Sequence, residues 1–349
     1  MSRWWNPLSR WLGSDSGPSV AETPAARRAD APRPPPSARP SGRAAAPADT
    51  TTDPQTRQRF LAWLLARTDD GAGGPPSAEM QRLLDKLDHV IGSETLRASL
   101  LPRAPQVVPQ LMKTLRDEAY SSVDVASRIS KDVVLTAEVI RSATSAYQRT
   151  DDGKIDLARA VAVIGAAGLR RAIANVVLRP IFEAKGDSLS ARASAQVWKD
   201  ADRKARLCAA IASGSHGLDQ FDGYIAGLLH DTGWTAALRA IDGFPDARAA
   251  IGQLLGPAVA PELFIRRDRL FGALVQGWSL GDAVTALAVE VGRDGLAAAS
   301  TPLGLALASA DRLAMLYALA PQADGADVVP EWSTLPRSVQ NAYNGLGAD

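Results

Sequence analysis

The spacing of apolar residues most constrains the fold, because they recur at helical intervals along most of the chain. Phe221, Ile225, Leu228 and Leu229 fall at i, i+4, i+7 and i+8, which places them on one helical face. Short segments of this kind follow one another from Leu101 onwards. No stretch shows the apolar–polar alternation typical of a strand. The sequence therefore predicts an all-α fold, a compact multi-helix bundle.

Capping residues predict where the first helices begin. Asp53 followed by Pro54 begins one helix, which is expected to end near Asp69, and Ser77 begins the next. His89 lies off the apolar stripe of the second helix and is expected to face solvent. The predicted inward residues are Phe60, Trp63 and Leu64 in the first helix, and Met80, Leu83, Leu84, Leu87 and Ile91 in the second.

Later helices are predicted from the same signals. One stops at Gly165, a long one runs from about Ser190 to Ser213, another spans 302–320, and a short one lies around Val339–Tyr343. The residues expected to pack on one side of the 302–320 helix are Leu303, Leu307, Ala310, Leu313, Ala314 and Tyr317.

The N-terminal part of the chain differs in composition from the rest. Residues 1–13 place Trp4, Trp5 and Trp11 on one face of a short basic helix, which could dock on a signalling partner or lie on a membrane surface. Alternatively, the tryptophans fold back onto the protein's own body. Residues 14–52 are rich in Pro, Ala and Arg, which predicts a disordered linker.

These patterns predict five consecutive regions. They are a Trp-rich amphipathic segment at 1–13, a linker at 14–52, a helical extension at 53–95, the main domain at 96–290, and a C-terminal helix and tail at 291–349.

Composition narrows the class of protein. The 349 residues include 39 basic and 38 acidic side chains, which gives a net charge of +1. This balance lacks the excess of positive charge typical of nucleic-acid-binding proteins, so we do not expect nucleic acid as a partner. The one cysteine, Cys208, has apolar neighbours and is predicted to be a small buried residue in a reducing compartment. No uninterrupted apolar run approaches the ~18 residues of a membrane span. We therefore expect a cytoplasmic protein without a transmembrane segment.

An adjacent histidine and aspartate end the predicted helix that carries Phe221 and Leu229. His230 and Asp231 are followed by Gly233, and a neutral imidazole beside a carboxylate can bind one divalent metal ion from a helix end. The other interpretation is a buried histidine that is hydrogen-bonded to its neighbours.

A series of short motifs follows in order along the chain. They are Leu-Pro-x-x-Pro at 101–105, residues 129–140 and 143–147, Ile155 through Gly165, Gly168-Leu-Arg170, Trp198, and Ala226-Gly-Leu-Leu-His-Asp-Thr-Gly233. In order and spacing, over about residues 96–290, these motifs resemble the HD-related output domain (HDOD) family. The resemblance implies an all-helical, non-catalytic relative of the HD phosphohydrolases, found in bacterial signalling proteins.

The resemblance also defines a candidate metal site, and this chain lacks part of it. Asp200 stands where HD hydrolases have an upstream histidine, whereas Asp311 in Ala-Asp-Arg-Leu matches their distal aspartate. His89 and His216 lie outside the pattern. His230, Asp231 and Asp311 are therefore vestigial metal candidates, and they are expected to form a hydrogen-bonded network. An occupied site without turnover and true hydrolysis are the alternatives.

We therefore expect a non-catalytic signal-transduction protein that binds a partner protein or a ligand and needs no cofactor. The alternative is a residual metal-dependent HD-type phosphohydrolase acting on a nucleotide or cyclic dinucleotide. No phosphate-binding loop and no nucleophile elbow occurs in the sequence.

Overall fold

The computed structural model describes residues 52–67, 75–101, 136–140, 157–244, 254–278, 280–321 and 324–347, which belong to one compact unit. The Trp-rich segment at 1–13, the predicted linker except Thr52, and the motifs at 102–135 and 141–156 lie outside the described residues. Within the described ranges every regular element is helical, which confirms the all-α prediction.

Besides the helical residues 136–140, the described part of the chain contains twelve α-helices and several short 3₁₀ helices. The helices are α1 Pro54–Leu64, α2 Ala78–Gly92, α3 Glu94–Leu100, α4 Leu157–Phe182, α5 Leu189–Ser213, α6 Gln220–His230, α7 Thr232–Asp242, α8 Ala260–Val275, α9 Asp282–Asp294, α10 Pro302–Leu319, α11 Gly325–Val328 and α12 Arg337–Asn344.

Helix α1 begins as predicted but ends earlier. The Asp53 carboxylate accepts from the backbone N–H of Thr56 at 2.9 Å, which caps the N-terminus. The expected end near Asp69 is wrong, because Ala66 adopts a positive φ of 51° and turns the chain just after Leu64. Leu61 is buried in place of Trp63, which is only partly buried and lies against the guanidinium of Arg203.

Helix α2 follows its predicted pattern except at one position. The Ser77 hydroxyl accepts from the backbone N–H of Met80, and His89 is exposed as predicted. Val90 is buried, whereas the predicted Ile91 is only partly buried. Two neighbouring residues point about 100° apart on a helix, so Ile91 falls at the edge of the buried stripe.

The later helices agree closely with the sequence. Helix α4 breaks at Gly165, whose φ of 61° and ψ of −175° separate two helical segments. The long helix spans Leu189–Ser213, and α12 covers the predicted helix at Val339–Tyr343. All six residues predicted to pack on one side of α10 are buried. Cys208 is also buried, and burial raises the pKa of its thiol to about 12.

Two helices of the described residues reach the length and mean apolar composition of a membrane span, although charged residues interrupt both of them. They are Ala160–Phe182 within α4 and Pro302–Leu319, the whole of α10. In α10, 67% of the apolar window is buried inside the protein, as in a core helix. In α4 the non-helical backbone at Gly165 interrupts the segment.

Helix α5 lies at the centre of the core and packs against α6, α7, α10 and α12. Its contact with α6 is close because α6 presents Gly223 and Gly227 to it. A Cβ at Gly227 would lie 2.7 Å from Cα of Ala205, and one at Gly223 would lie 2.9 Å from the carbonyl oxygen of Cys208. The absence of these two side chains brings α5 next to the last turn of α6.

Candidate functional site

The histidine–aspartate pair lies where the sequence predicts it, at the junction of two helices. His230 is the last residue of α6, and Asp231 links it to α7. Both are fully buried, as are Ile225, Leu228 and Leu229 of the predicted apolar stripe. The pair is therefore fixed by the packing of the helix that carries it.

Gly233 brings a third helix to this junction. A Cβ at Gly233 would overlap the backbone carbonyl of Arg267, so only glycine allows the start of α7 to touch α8 at this distance. This contact places Arg267 and Asp268 next to His230.

The imidazole of His230 has a partner on each ring nitrogen. Nδ1 lies 3.3 Å from Nζ of Lys204, and Nε2 lies 3.1 Å from Oδ1 of Asp268. An ammonium group only donates, so Nδ1 accepts from Lys204 and the Nε2–H donates to Asp268. The arrangement defines a neutral imidazole with its proton on Nε2. The ring of Phe271 contacts the imidazole edge-on at a centroid distance of 5.1 Å.

Lys204 lies at the centre of the cluster and is fully buried. Its Nζ lies 2.6 Å from Oδ1 of Asp231, 2.6 Å from Oδ1 of Asp311 and 3.2 Å from Oδ2 of Asp200. The three carboxylates belong to α5, to the α6–α7 junction and to α10. The lysine ammonium therefore joins all the residues that the sequence predicts as metal candidates.

A second cation, Arg267, encloses the cluster from α8. Its guanidinium donates to both carboxylate oxygens of Asp311, at 3.1 and 3.2 Å, and to Oδ1 of Asp268 at 2.9 Å. The other oxygen of Asp268 accepts from the backbone N–H of Leu296 at 2.8 Å. Arg267 also lies over the ring of Phe264 at 4.9 Å, so it is shielded from solvent.

The protonation states follow from burial and from these neighbours. Burial lowers the pKa of His230 to about 4, and the charges of Arg267 and Lys204 act in the same direction. Burial also disfavours the charged form of Lys204, but the carboxylates of Asp200, Asp231 and Asp311 outweigh it and raise the pKa above its usual value.

The carboxylates divide into two kinds. Burial opposes ionisation of Asp311, but Arg267 and Lys204 outweigh it and lower the pKa of Asp311. The pKa of Asp268 is lowered in the same way by Arg267 and by its hydrogen bond from His230. Burial raises the pKa of Asp231 despite Lys204.

The site does not fit a metal ion as it stands. Within the described part of the chain, no three His, Cys, Asp or Glu side chains are arranged to hold one. His230, Asp231, Asp311 and Asp200 do converge on one point, but the Lys204 ammonium lies at that point. A catalytic metal site also needs an open position for water, and these side chains are at most 7% exposed.

The sequence interpretation missed Lys204, Arg267 and Asp268. A signal for Lys204 was present, because it lies on the stripe of Val197, Ala201 and Cys208 that α5 buries. The signal for the other two was a charged pair between Phe264 and Phe271, which are buried on α8. Charged residues at core positions indicate a buried partner.

The fold and this junction define an all-helical, HD-like protein. The sequence profile of the HDOD domain matches residues 101–288, more than half of the chain, and the chain belongs to the HDOD family. A protein of unassigned function from Treponema pallidum (strain Nichols) is 24% identical over 219 residues. That match covers 60% of this chain and 40% of the relative, so the chain aligns with less than half of that protein's length.

Solved structures share the fold. A candidate metal-dependent phosphohydrolase from Shewanella amazonensis SB2B has a TM-score of 0.54 at 17% identity, over 78% of this chain and 99% of that chain. An HDOD domain protein with unknown function from Geobacter sulfurreducens has a TM-score of 0.50 at 18% identity, over 76% of this chain and 98% of that chain.

Proposed function

We propose that this chain is a non-catalytic signal-transduction protein whose HDOD domain binds a partner protein or a ligand. The observation that carries the proposal is the Lys204 ammonium, which takes the position where the ligands of an HD-type site converge. Hydrolysis of a phosphate ester by such a site needs a metal ion and a water on it. Here the same residues are engaged in a closed ion-pair network.

The arrangement suits a structural role. His230, Asp231 and Asp311 join the helices α5, α6, α7 and α10 through one lysine, and Arg267 adds α8. A buried, connected polar network of this kind fixes the mutual orientation of the helices that form it. On this proposal, the ancestral site is retained as a scaffold, and partner binding takes place on the surface.

The N-terminal tryptophans are proposed as one contact with a partner. Trp4, Trp5 and Trp11 share a helical face in the sequence pattern, and the Pro-rich linker would let that face reach a partner at some distance from the core. A membrane surface is the alternative contact. We propose a cytoplasmic location, which is consistent with the single buried cysteine.

A phosphodiesterase assay tests the lack of catalysis. The purified full chain is incubated with nucleotide and cyclic dinucleotide substrates in the presence of Mn²⁺ or Fe²⁺, beside the His230→Ala variant. We expect no difference in turnover between the two proteins. Metal-dependent turnover that disappears in His230→Ala would establish the alternative, a residual HD-type phosphohydrolase.

A further inference from the structure

We propose that α1 is exchanged between two copies of this chain, so that each copy binds the α1 of the other and a dimer forms. The inference is independent of the proposed function. Three observations support it. Helix α1 lies outside the family domain, its contact with the core is formed largely by apolar side chains, and the chain leaves it through a residue with an unfavourable backbone conformation.

Helix α1 is an addition to the HDOD domain. It ends at Leu64, well before residue 101, where the match to the HDOD domain begins. It nevertheless packs on α5, α8 and α10, the three helices that carry Lys204, Arg267 and Asp311. The surface of α5, α8 and α10 that lies under α1 is called the α1 groove below. The copy that supplies α1 therefore covers the helices that hold the buried ion pairs.

The contact between α1 and the α1 groove is formed by large apolar and aromatic side chains. Phe60 and Leu64 are completely buried. The ring of Phe60 lies 6.2 Å from the ring of Phe264 on α8, and the ring of Trp63 lies 5.4 Å from the guanidinium carbon of Arg203 on α5. A second copy of the chain carries the same helix, so its α1 fits this groove equally well.

The chain leaves α1 through a turn that normally contains glycine. The N–H of Arg67 donates to the carbonyl of Ala62 at 2.9 Å, and the N–H of Ala66 donates to the carbonyl of Trp63 at 3.1 Å. These two bonds define a Schellman turn, in which the residue after the C-cap adopts the left-handed conformation. That residue is Ala66, with a φ of 51°. Its Cβ makes the left-handed conformation unfavourable, so the turn is strained.

Continuation of α1 through Ala66 would remove this strain. Leu65, Ala66 and Arg67 all belong to the residue types with the highest helix propensity. Helix α2 is held in place by its contacts with α7 and α8. Straightening the turn therefore moves α1 away from the α1 groove of its own chain. The vacant groove then binds the α1 of a second copy, whose own groove is vacant for the same reason.

The test measures the dimer dissociation constant of the full chain by size-exclusion chromatography with light scattering, from micromolar to millimolar protein. In Ala66→Gly the left-handed turn is no longer strained, and a continuous helix through residue 66 is weakened. The control is Ala195→Gly, because Ala195 is equally exposed and lies within the long helix α5. The melting temperature of each variant shows that it is folded.

A second pair of variants tests whether α1 forms the dimer contact. Phe60→Ala removes a buried side chain from the contact, whereas Arg59→Ala changes the exposed neighbouring residue. If Phe60→Ala does not fold, the two glycine variants decide the question, because Ala66 and Ala195 are both exposed.

We expect the wild type to form dimers as its concentration rises. Ala66→Gly should raise the dimer dissociation constant about 30-fold or more, because each dimer contains two turns and the effect counts twice. Ala195→Gly and Arg59→Ala should leave the dissociation constant unchanged, and Phe60→Ala should abolish the dimer.

Three results would overturn the inference. They are a wild type that stays monomeric at millimolar concentration, a dissociation constant that is the same in Ala66→Gly and Ala195→Gly, and a dimer that persists in Phe60→Ala. The last result would place the dimer contact on another surface of the protein.

Discussion

Nζ of Lys204 on α5 lies 2.6 Å from Oδ1 of Asp311 on α10, and both side chains are almost completely buried. This ion pair joins two core helices that are far apart in the sequence. A buried ion pair stabilises a fold only weakly relative to apolar residues, but removing one partner leaves an uncompensated charge. The stability of the core should therefore depend strongly on Lys204.

Replacement of Lys204 by methionine tests this dependence. The substitution keeps the length of the side chain and removes the charge that faces Asp200, Asp231 and Asp311. We expect the free energy of unfolding to fall by about 3–5 kcal/mol in urea denaturation.

The matched control is Lys199→Met on the same helix, where the lysine is exposed and a change within about 0.5 kcal/mol is expected. If Lys204→Met is as stable as this control, the ion-pair network does not stabilise the core.

The second prediction concerns the pH dependence of stability. The pKa of His230 is about 4 in the folded protein against 6.5 in the unfolded chain, so the unfolded state binds more protons between these values. The contribution of His230 is therefore present above about pH 6.5 and is lost as the pH falls towards 4. The shift corresponds to about 3 kcal/mol.

The measurement compares the wild type with His230→Gln across this pH range. Burial raises the pKa of Asp231, so the contribution of Asp231 to the unfolding free energy falls as the pH rises above 3.8, opposite to that of His230. Asp231 is present in both proteins, so the difference between their unfolding free energies reports on the histidine. We expect the stability advantage of the wild type to shrink as the pH falls. A constant difference from pH 7 to pH 4 would show that His230 titrates normally.

The third prediction concerns the close approach of α5 and α6. In Gly227→Ala the new Cβ would lie 2.7 Å from backbone atoms of Ala205 and Lys204, so the helices must separate. We expect a loss of about 1–3 kcal/mol, measured by chemical denaturation. Gly92→Ala is the control, because nothing lies within 4 Å of its new Cβ. Equal unfolding free energies of Gly227→Ala and Gly92→Ala would mean that α5 and α6 can separate without loss of stability.

The fourth prediction concerns Arg239 on α7. Its guanidinium donates to the backbone carbonyls of Leu100, Ile181 and Glu183, at 2.6, 2.9 and 2.8 Å, and so satisfies the ends of α3 and α4. We expect Arg239→Met to lower the unfolding free energy by about 1–3 kcal/mol.

Arg239→Lys should not restore this stability, because one ammonium cannot reach three carbonyls in a fork geometry. The exposed Arg293 provides the control substitution Arg293→Met. Full recovery by lysine would mean that charge alone, and not the fork of donors, matters at this position.

The fifth prediction concerns residues 1–13. Partial burial of Trp4, Trp5 and Trp11 on a partner would release a free energy of about the same size as the entropic cost of ordering the peptide. Binding should therefore be reversible. We expect deletion of residues 1–13 to leave the melting temperature unchanged and to weaken association with a partner or with liposomes. A melting temperature that falls by several degrees would show instead that the tryptophans pack on the core.

The sequence alone determined the helical class, the starts of α1, α2 and α10, and the place of His230 and Asp231 at the end of α6. These features depend on local signals, because capping residues and apolar periodicity act within a few residues of the chain. The family resemblance was determined in the same way, from motifs that keep their order and spacing. The end of α1 was not predicted, because the residue with the positive φ is Ala66, and an alanine gives no sequence signal for a turn.

The tertiary structure decided what the histidine–aspartate pair is connected to. A lysine on an apolar stripe can extend to solvent or turn inwards, and the choice at Lys204 depends on which carboxylates other helices bring near. Gly227 and Gly233 allow α5 and α8 to approach the junction, so Lys204 and Asp268 reach His230, and Arg267 reaches Asp268 and Asp311. A local pattern cannot contain this information, because the energy of a buried charge depends on partners that are distant in sequence.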